Sequence, residues 1–473
     1  MHVSKPRVIS QGLEEQQTIE FSGVKTRIEI HRVATASEGT YNYIAYVIDE
    51  VPDWVIALPI EKIVDWVGSG VNPRRAIVRG LKDIGLKPRD EEVDIGMNIF
   101  NRWFNHYGAA TPLFLMDNIT DIYINKIGTK YGYGGIYIEH TTYGRIQTVI
   151  GWEPYDVWKG KKIIRTVKFD FNALVDYLIR RVALRTRTAI TAYNPVASVV
   201  DPEFGVRISV ETEPVNPGSI SVRVLPKKPW TLVDMVRNGM VAPGVAGLLW
   251  LLADYKVPIL IVGPMGSGKT SLQNAIAYML TERTMTLIMD VAELFLPYHK
   301  VVVPMFERVA YAQGVRAIGK DELIRQALRS GVDIIVLNEA RSPAEFKALA
   351  EAITLGHGAL TTFHAEDYEA AKVRLASLGL DAERLLDIAV VVEVGMTRDV
   401  VRQPDGTYTI VTRRFVRRVY NAVERLRELM RDYGRDRILS ELRRRVVFLV
   451  QAARSWVGYR ELAGLLDTFY KGG

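Results

Sequence analysis

Residues 263–270 read Gly263-Pro264-Met265-Gly266-Ser267-Gly268-Lys269-Thr270, a G-x-x-x-x-G-K-T string. An apolar run at 257–262 leads in and a helix-forming stretch at 271–280 leads out. This constrains the fold tightly, because a strand, a sharp turn and a helix start must meet there. The glycines let backbone wrap closely around phosphate oxygens, and N–H groups at the helix start attract an anion. Gly263 through Ser271 are therefore candidate ligands of a nucleoside triphosphate. Lys269 would reach the outer phosphates and Thr270 would hold Mg²⁺.

A chain of 473 residues is too long for one core, so two or three domains are expected. From 230 onward apolar strands at 257–262, 285–289, 332–337, 359–363 and 389–394 alternate with helices at 271–280, 321–330, 343–355, 368–378 and 381–388. That rhythm predicts an α/β domain with a mainly parallel sheet and helices on both faces. A hairpin is expected over 400–411 around Pro404-Asp405-Gly406. The last sixty or so residues read as helical and arginine-rich. Upstream, 101–225 reads as a smaller α+β domain, with strands at 119–125, 135–139, 207–210 and 219–224 and a helix at 171–185. Residues 1–100 read as an extra N-terminal module of unassigned role. Pro226-Lys227-Lys228-Pro229 is the best linker candidate.

Ligand groups in open α/β sheets gather at the carboxyl ends of strands. Asp290 and Glu293 follow the strand at 285–289, Glu339 and Arg341 follow 332–337, and His364 follows 359–363. Attack of water on a γ-phosphate needs positioning and charge neutralisation, which such groups supply. Simpler roles stay open. Asp290 and Glu293 also suit a helix N-cap with its partner, and His364 a satisfied core histidine.

These residues, in this order, resemble the secretion ATPase superfamily, the motors of type II secretion, type IV pilus assembly, the archaellum and type IV secretion. The Asp box would be Ile288-Met289-Asp290-Val291-Ala292-Glu293-Leu294. Walker B would be Asp333-Ile334-Ile335-Val336-Leu337-Asn338-Glu339-Ala340-Arg341, and the His box would run from Leu355 to Ala365. The resemblance continues upstream in Met116–Asn125, 205–208 and 218–223, and at the C-terminal end in the manner of the archaeal branch. It covers about residues 105–473 and implies a RecA-like sheet in the ATPase domain.

By resemblance, Lys269 and Thr270 bind phosphates and Mg²⁺, and Asp290 and Glu339 contribute to the metal. Glu293 is the water-activating base, Glu339 works through Mg²⁺ or the water, and His364 senses the γ-phosphate. Arg207, Arg223 and Arg329 match arginines that reach a nucleotide, some from a neighbouring subunit; the alternative for each is a surface ion pair. The family implies ATP and Mg²⁺, a homo-hexamer, a polytopic membrane platform protein, pilin-like subunits reached indirectly, and a cytoplasmic location at the inner face of the membrane. Met289 stands where the family has an acid, Asn338 where it has glycine, and Ala340-Arg341-Ser342 where it has Val-Arg-Gly.

The chain has no cysteine, which excludes disulfides and the four-cysteine zinc module of bacterial type II members, so no zinc is expected. No stretch offers about 18 uncharged apolar residues for a membrane span. The net charge of +7 is compatible with acidic partners. Arg413, Arg414, Arg417, Arg418 and 443–445 form basic clusters, read either as solvated faces or as a docking surface for acidic protein or lipid. No aromatic residues interleave with them, so nucleic-acid binding is not expected. Two rival readings remain: a DNA-moving, type IV secretion-like motor, and a nucleotide-gated scaffold that does not hydrolyse ATP. His299 reads as a loop residue.

Overall fold

The computed structural model describes residues 12–34, 41–128, 134–150, 155–159, 162–167, 170–225, 228–308, 316–402 and 408–472. The chain divides into two compact units, Met1–Leu225 and Pro226–Gly473. Two residues of the expected linker, 226 and 227, lie outside the described residues.

The first unit contains β1 (Gly12–Phe21), β2 (Val24–Ala34), β3 (Tyr41–Asp49), β4 (Ile119–Asn125), β5 (Gly135–His140), β6 (Gly144–Ile150), β7 (Tyr155–Lys159), β8 (Lys162–Val167), β9 (Val196–Asp201), β10 (Val206–Glu211) and β11 (Ser219–Val224). Nine of these form one sheet in the order β1-β2-β3-β6-β5-β4-β11-β10-β9, with β7 and β8 paired apart. Strands β1, β2 and β3 therefore do not stand as a separate sheet. They extend the sheet of the α+β region, because β3 pairs with β6 over Ile44–Val47. The strands alternate: Val206, Ile208 and Val210 of β10 are buried between half-exposed neighbours, the period-2 signature of a sheet covered on one face. Helix Phe171–Thr186 covers that face with Leu174, Val175, Leu178 and Val182. Helices Ile60–Gly68, Pro73–Asp83 and Asp90–Asn105 enclose their own small core around Ile63, Ile77 and Leu81. Buried Arg102 ties the last of them to the sheet through Asp49 at 2.9 Å and Thr26 at 3.1 Å.

The second unit holds β12 (Ile259–Gly263), β13 (Met285–Met289), β14 (Val302–Phe306), β15 (Ile334–Leu337), β16 (Gly358–His364), β17 (Val390–Arg402) and β18 (Tyr408–Tyr420). Their order is β14-β13-β15-β16-β12-β17-β18, all neighbours parallel except β17 with β18. Every residue of β12, β13 and β15 is buried, because both faces carry helices. Successive residues of β12 feed opposite cores. Ile259 and Ile261 pack with helices Pro243–Asp254 and Lys269–Tyr278, while Leu260 and Val262 pack with helices Pro343–Thr354 and Tyr368–Ser377. This is the mainly parallel α/β sheet that the strand–helix rhythm predicts.

Two features differ from expectation. Sequence reading does not place β14, whose VVPMF is partly exposed and contains a proline. The hairpin is far longer than 400–411, its arms being the whole of β17 and β18, and the proposed turn at 404–406 lies outside the described residues. Helix Arg435–Arg454 is anchored by buried Arg445, which pairs with Asp254 and Glu441. Tyr470 joins Asp254 at 3.2 Å and accepts from the Trp250 indole at 2.9 Å. Arg445 therefore belongs to the interior and not to a docking surface.

Candidate active site

The carboxyl ends of β12, β13, β15 and β16 lie side by side, so whatever follows them shares one rim of the sheet. From β12 the chain turns through Pro264–Ser267 into helix Lys269–Tyr278. Gly268 caps that helix at φ +91°, a conformation that side chains other than glycine's disfavour. Gly263 passes so close to β17 that a Cβ there would lie 2.4 Å from the Val394 carbonyl oxygen. Lys269 is buried, and its ammonium donates to the carbonyls of Gly263 and Pro264 at 2.9 Å each. Burial lowers its pKa, with Glu339 pulling the other way. Thr270 lies half-buried in the first turn of that helix. Gln273, one turn on, donates to the carbonyls of Leu337 and Leu360 at 2.7 and 2.9 Å and locks the helix to β15 and β16.

The Asp box does not start a helix. Residues 290–299 are irregular, so the N-cap reading of Asp290 and Glu293 fails. Asn274 of the phosphate-loop helix holds this segment through both backbone groups of Phe295, at 2.8 and 3.3 Å. Met289, in place of an acid, is buried in the apolar core, where a carboxylate would be desolvated.

Asn338 is buried, and its amide nitrogen lies 3.4 Å from both Asp290 and Glu293. The residue that replaces the expected glycine thus joins the two acids of the Asp box. Glu339 sits between Arg341 at 2.7 Å and His364 at 3.2 Å. Arg341 also reaches Asp290 at 3.2 Å. Lys320, 1% exposed, supplies a second cation 3.9 Å from Asp290 and donates to the Glu339 carbonyl at 3.2 Å. Glu307 completes the acidic side. Burial raises its pKa, Lys320 opposes this, and Asp290 and Glu345 add to it. Desolvation, followed by the charge of Lys269, lowers the His364 pKa, so its ring is neutral near pH 7.

The structure therefore brings Lys269, Asp290, Glu293, Glu339 and His364 onto one rim through direct or one-residue links. Arg207 and Arg223 face each other across β10 and β11 in the first unit, contacting Ser198 at 3.2 Å and Asp121 at 3.0 Å. Arg329 is exposed just beyond helix Lys320–Ala327. Asp333 opens the Walker B string at the opposite end of β15. Burial would raise its pKa, but Lys256 at 2.7 Å and two bonds from Thr284 hold it down at about 2. It is a structural clasp. His299 is a loop residue, as expected, but a half-buried one, 2.9 Å from the Ala277 carbonyl.

No three His, Cys, Asp or Glu side chains gather into a metal cage among the described residues. The oxygens of half-buried Thr270 and of Asp290 are of the donor type that Mg²⁺ takes, one or two protein oxygens beside phosphates and waters. No helix among the described residues is long and apolar enough to cross a membrane.

Residues 177–447 match the family described as Type II/IV secretion system protein, and the chain belongs to that family. An uncharacterised protein of Methanocaldococcus jannaschii is 32% identical over 154 residues, which are 32% of this chain and 56% of that protein. Type IV secretion system protein VirB11 of Bartonella henselae is 27% identical over 272 residues, covering 49% of this chain and 75% of the relative. The ATPase DotB of Yersinia pseudotuberculosis aligns in structure with a TM-score of 0.42 at 18% identity, over 76% of this chain and 93% of DotB. The chain spans about half the length of the first curated relatives it matches.

Proposed function

We propose that this chain is a Mg²⁺-dependent ATPase whose hydrolysis cycle drives a secretion or filament-assembly machine at a membrane. The observation that carries the reading is the clamp on Glu339. A carboxylate at a strand end, whose charge is felt by the phosphate-loop lysine, is held between an arginine and a neutral histidine. Such an arrangement can orient a water against a γ-phosphate and answer to the phosphate's loss.

In this reading Lys269 neutralises the outer phosphates, and Thr270 and Asp290 hold Mg²⁺ with its waters. Glu293 or Glu339 orients the attacking water, and His364 reports the γ-phosphate. Arg207, Arg223 and Arg329 complete the nucleotide site in a homo-hexamer, some from a neighbouring copy. The ring works on the cytoplasmic face against a polytopic platform protein, with pilin-like subunits as indirect cargo.

A phosphate-release assay with Mg²⁺ and ATP tests the reading. Turnover that needs both Mg²⁺ and Lys269 supports it, and none under any condition leaves the non-hydrolysing scaffold. A second reading, a DNA-moving motor, draws on the VirB11 relative, which is named for type IV secretion. Stimulation of turnover by DNA would select it.

A further inference from the structure

The hairpin strand β18 carries four arginines that no role above absorbs, and they differ sharply in their surroundings. Arg413 lies 3.8 Å from Asp399 at the surface. Arg417 pairs with buried Glu393 at 3.1 Å. Arg414 turns instead to the phosphate loop, where its Nε donates to the Gly266 carbonyl at 2.8 Å across 148 residues of sequence. Its Cδ would lie 3.3 Å from a Cβ on Gly268.

The Gly266–Ser267 peptide is thereby held at both ends. Its carbonyl accepts from Arg414, and its N–H donates to the Pro264 carbonyl at 3.3 Å. A phosphate loop works by turning N–H groups toward the anion, so its carbonyls must turn away and find donors. Arg414 is such a donor, and it is a permanent cation. Among the described residues, its two terminal guanidinium nitrogens make no hydrogen bond. The strand is well fixed here, since Val416 N–H donates to the Met240 carbonyl at 2.8 Å, and Met240 in turn lies beside Gly268.

We propose that Arg414 is a positioning residue of the nucleotide site: it pins the outward carbonyl of Gly266 and thereby sets the phosphate loop in its anion-binding form, with its charge adding to the pull on the phosphates. The inference rests on the ATP-binding reading of the loop. It also makes the long hairpin a part of the site and not only an edge of the sheet.

The test is calorimetric titration of Mg²⁺-ATP into the full chain and into Arg414→Ala, Arg414→Lys and Lys269→Ala, with the thermal midpoint of each ligand-free protein measured alongside. Arg414→Ala weakens ATP binding about tenfold, since a loop that is no longer pre-organised must be ordered by the ligand. Its ligand-free midpoint stays within about 2 °C of the parent, because the side chain is exposed. Arg414→Lys recovers part of the affinity through its charge. Unchanged affinity in Arg414→Ala, with binding lost in Lys269→Ala, overturns the inference alone. A lowered midpoint that accounts for the lost affinity, without rescue by lysine, also overturns it. Undiminished binding in Lys269→Ala overturns the reading of the loop itself.

Discussion

Gly263→Ala is the most exacting test of the phosphate loop's geometry. The added methyl would lie 2.4 Å from the Val394 carbonyl oxygen and 2.9 Å from Ser267 Oγ. Carbon and carbonyl oxygen ordinarily approach to about 3.3 Å, so the shortfall is about 0.9 Å. The obstructing atom is backbone of β17, held in the sheet by its pairing with β12 and β18, and it cannot rotate away. The loop must therefore move by most of an ångström, and a misplacement of that size costs about 10²-fold where groups must meet a ligand in register. Titration of Mg²⁺-ATP into the variant reads the effect. Gly244→Ala is the control, because a Cβ there meets nothing within 4 Å and alanine favours its helix by up to about 1 kcal/mol. ATP affinity equal to the parent's in Gly263→Ala would refute the geometry given for the loop.

Other perturbations have separable outcomes. Gln273→Ala strands two buried carbonyls, on Leu337 and Leu360, and should cost about 2–4 kcal/mol in chemical denaturation; a loss under 1 kcal/mol would mean the helix is held otherwise. Arg445→Met removes one of the two arginines that pair with buried Asp254, Arg283 remaining at 2.9 Å, and should cost about 1–3 kcal/mol by the same measurement. Burial lowers the His299 pKa from its ordinary 6.5 to about 4. A folded-state pKa below the unfolded one means that protonation favours unfolding, so its contribution is complete above pH 6.5. It fades as pH falls toward 4, by about 3 kcal/mol in all. His299→Gln should flatten that part of the stability–pH curve, and an unaltered slope would refute the burial argument.

The rim of the second unit was legible because each of its strands is an apolar run ending in a polar group, and local pattern suffices to see that. Met285–Met289 reads the same in sequence and structure, and Ile334–Leu337 falls within the expected 332–337. What local pattern lacks is register across distant segments. Nothing in the string around Asn338 says that its amide faces Asp290 and Glu293, forty-eight and forty-five residues earlier. Lys320 and Arg414 are ordinary surface-type residues in sequence; the packing of a helix buries the first beside Asp290, and the hairpin sets the exposed second against the phosphate loop. The joining of β1, β2 and β3 to the larger sheet turns on one parallel pairing, β3 with β6, which alternation within either strand does not reveal. Met289 and Asn338 read in sequence as departures from the family's pattern. In the structure one fills the core and the other bridges two acids.

The central claim is that Glu339 serves the chemistry and not the grip on ATP. Turnover and ATP affinity of Glu339→Gln, measured side by side, test it most directly. The account predicts affinity within about threefold of the parent and turnover lower by about 10²-fold or more. Hydrolysis at the parent's rate would contradict it.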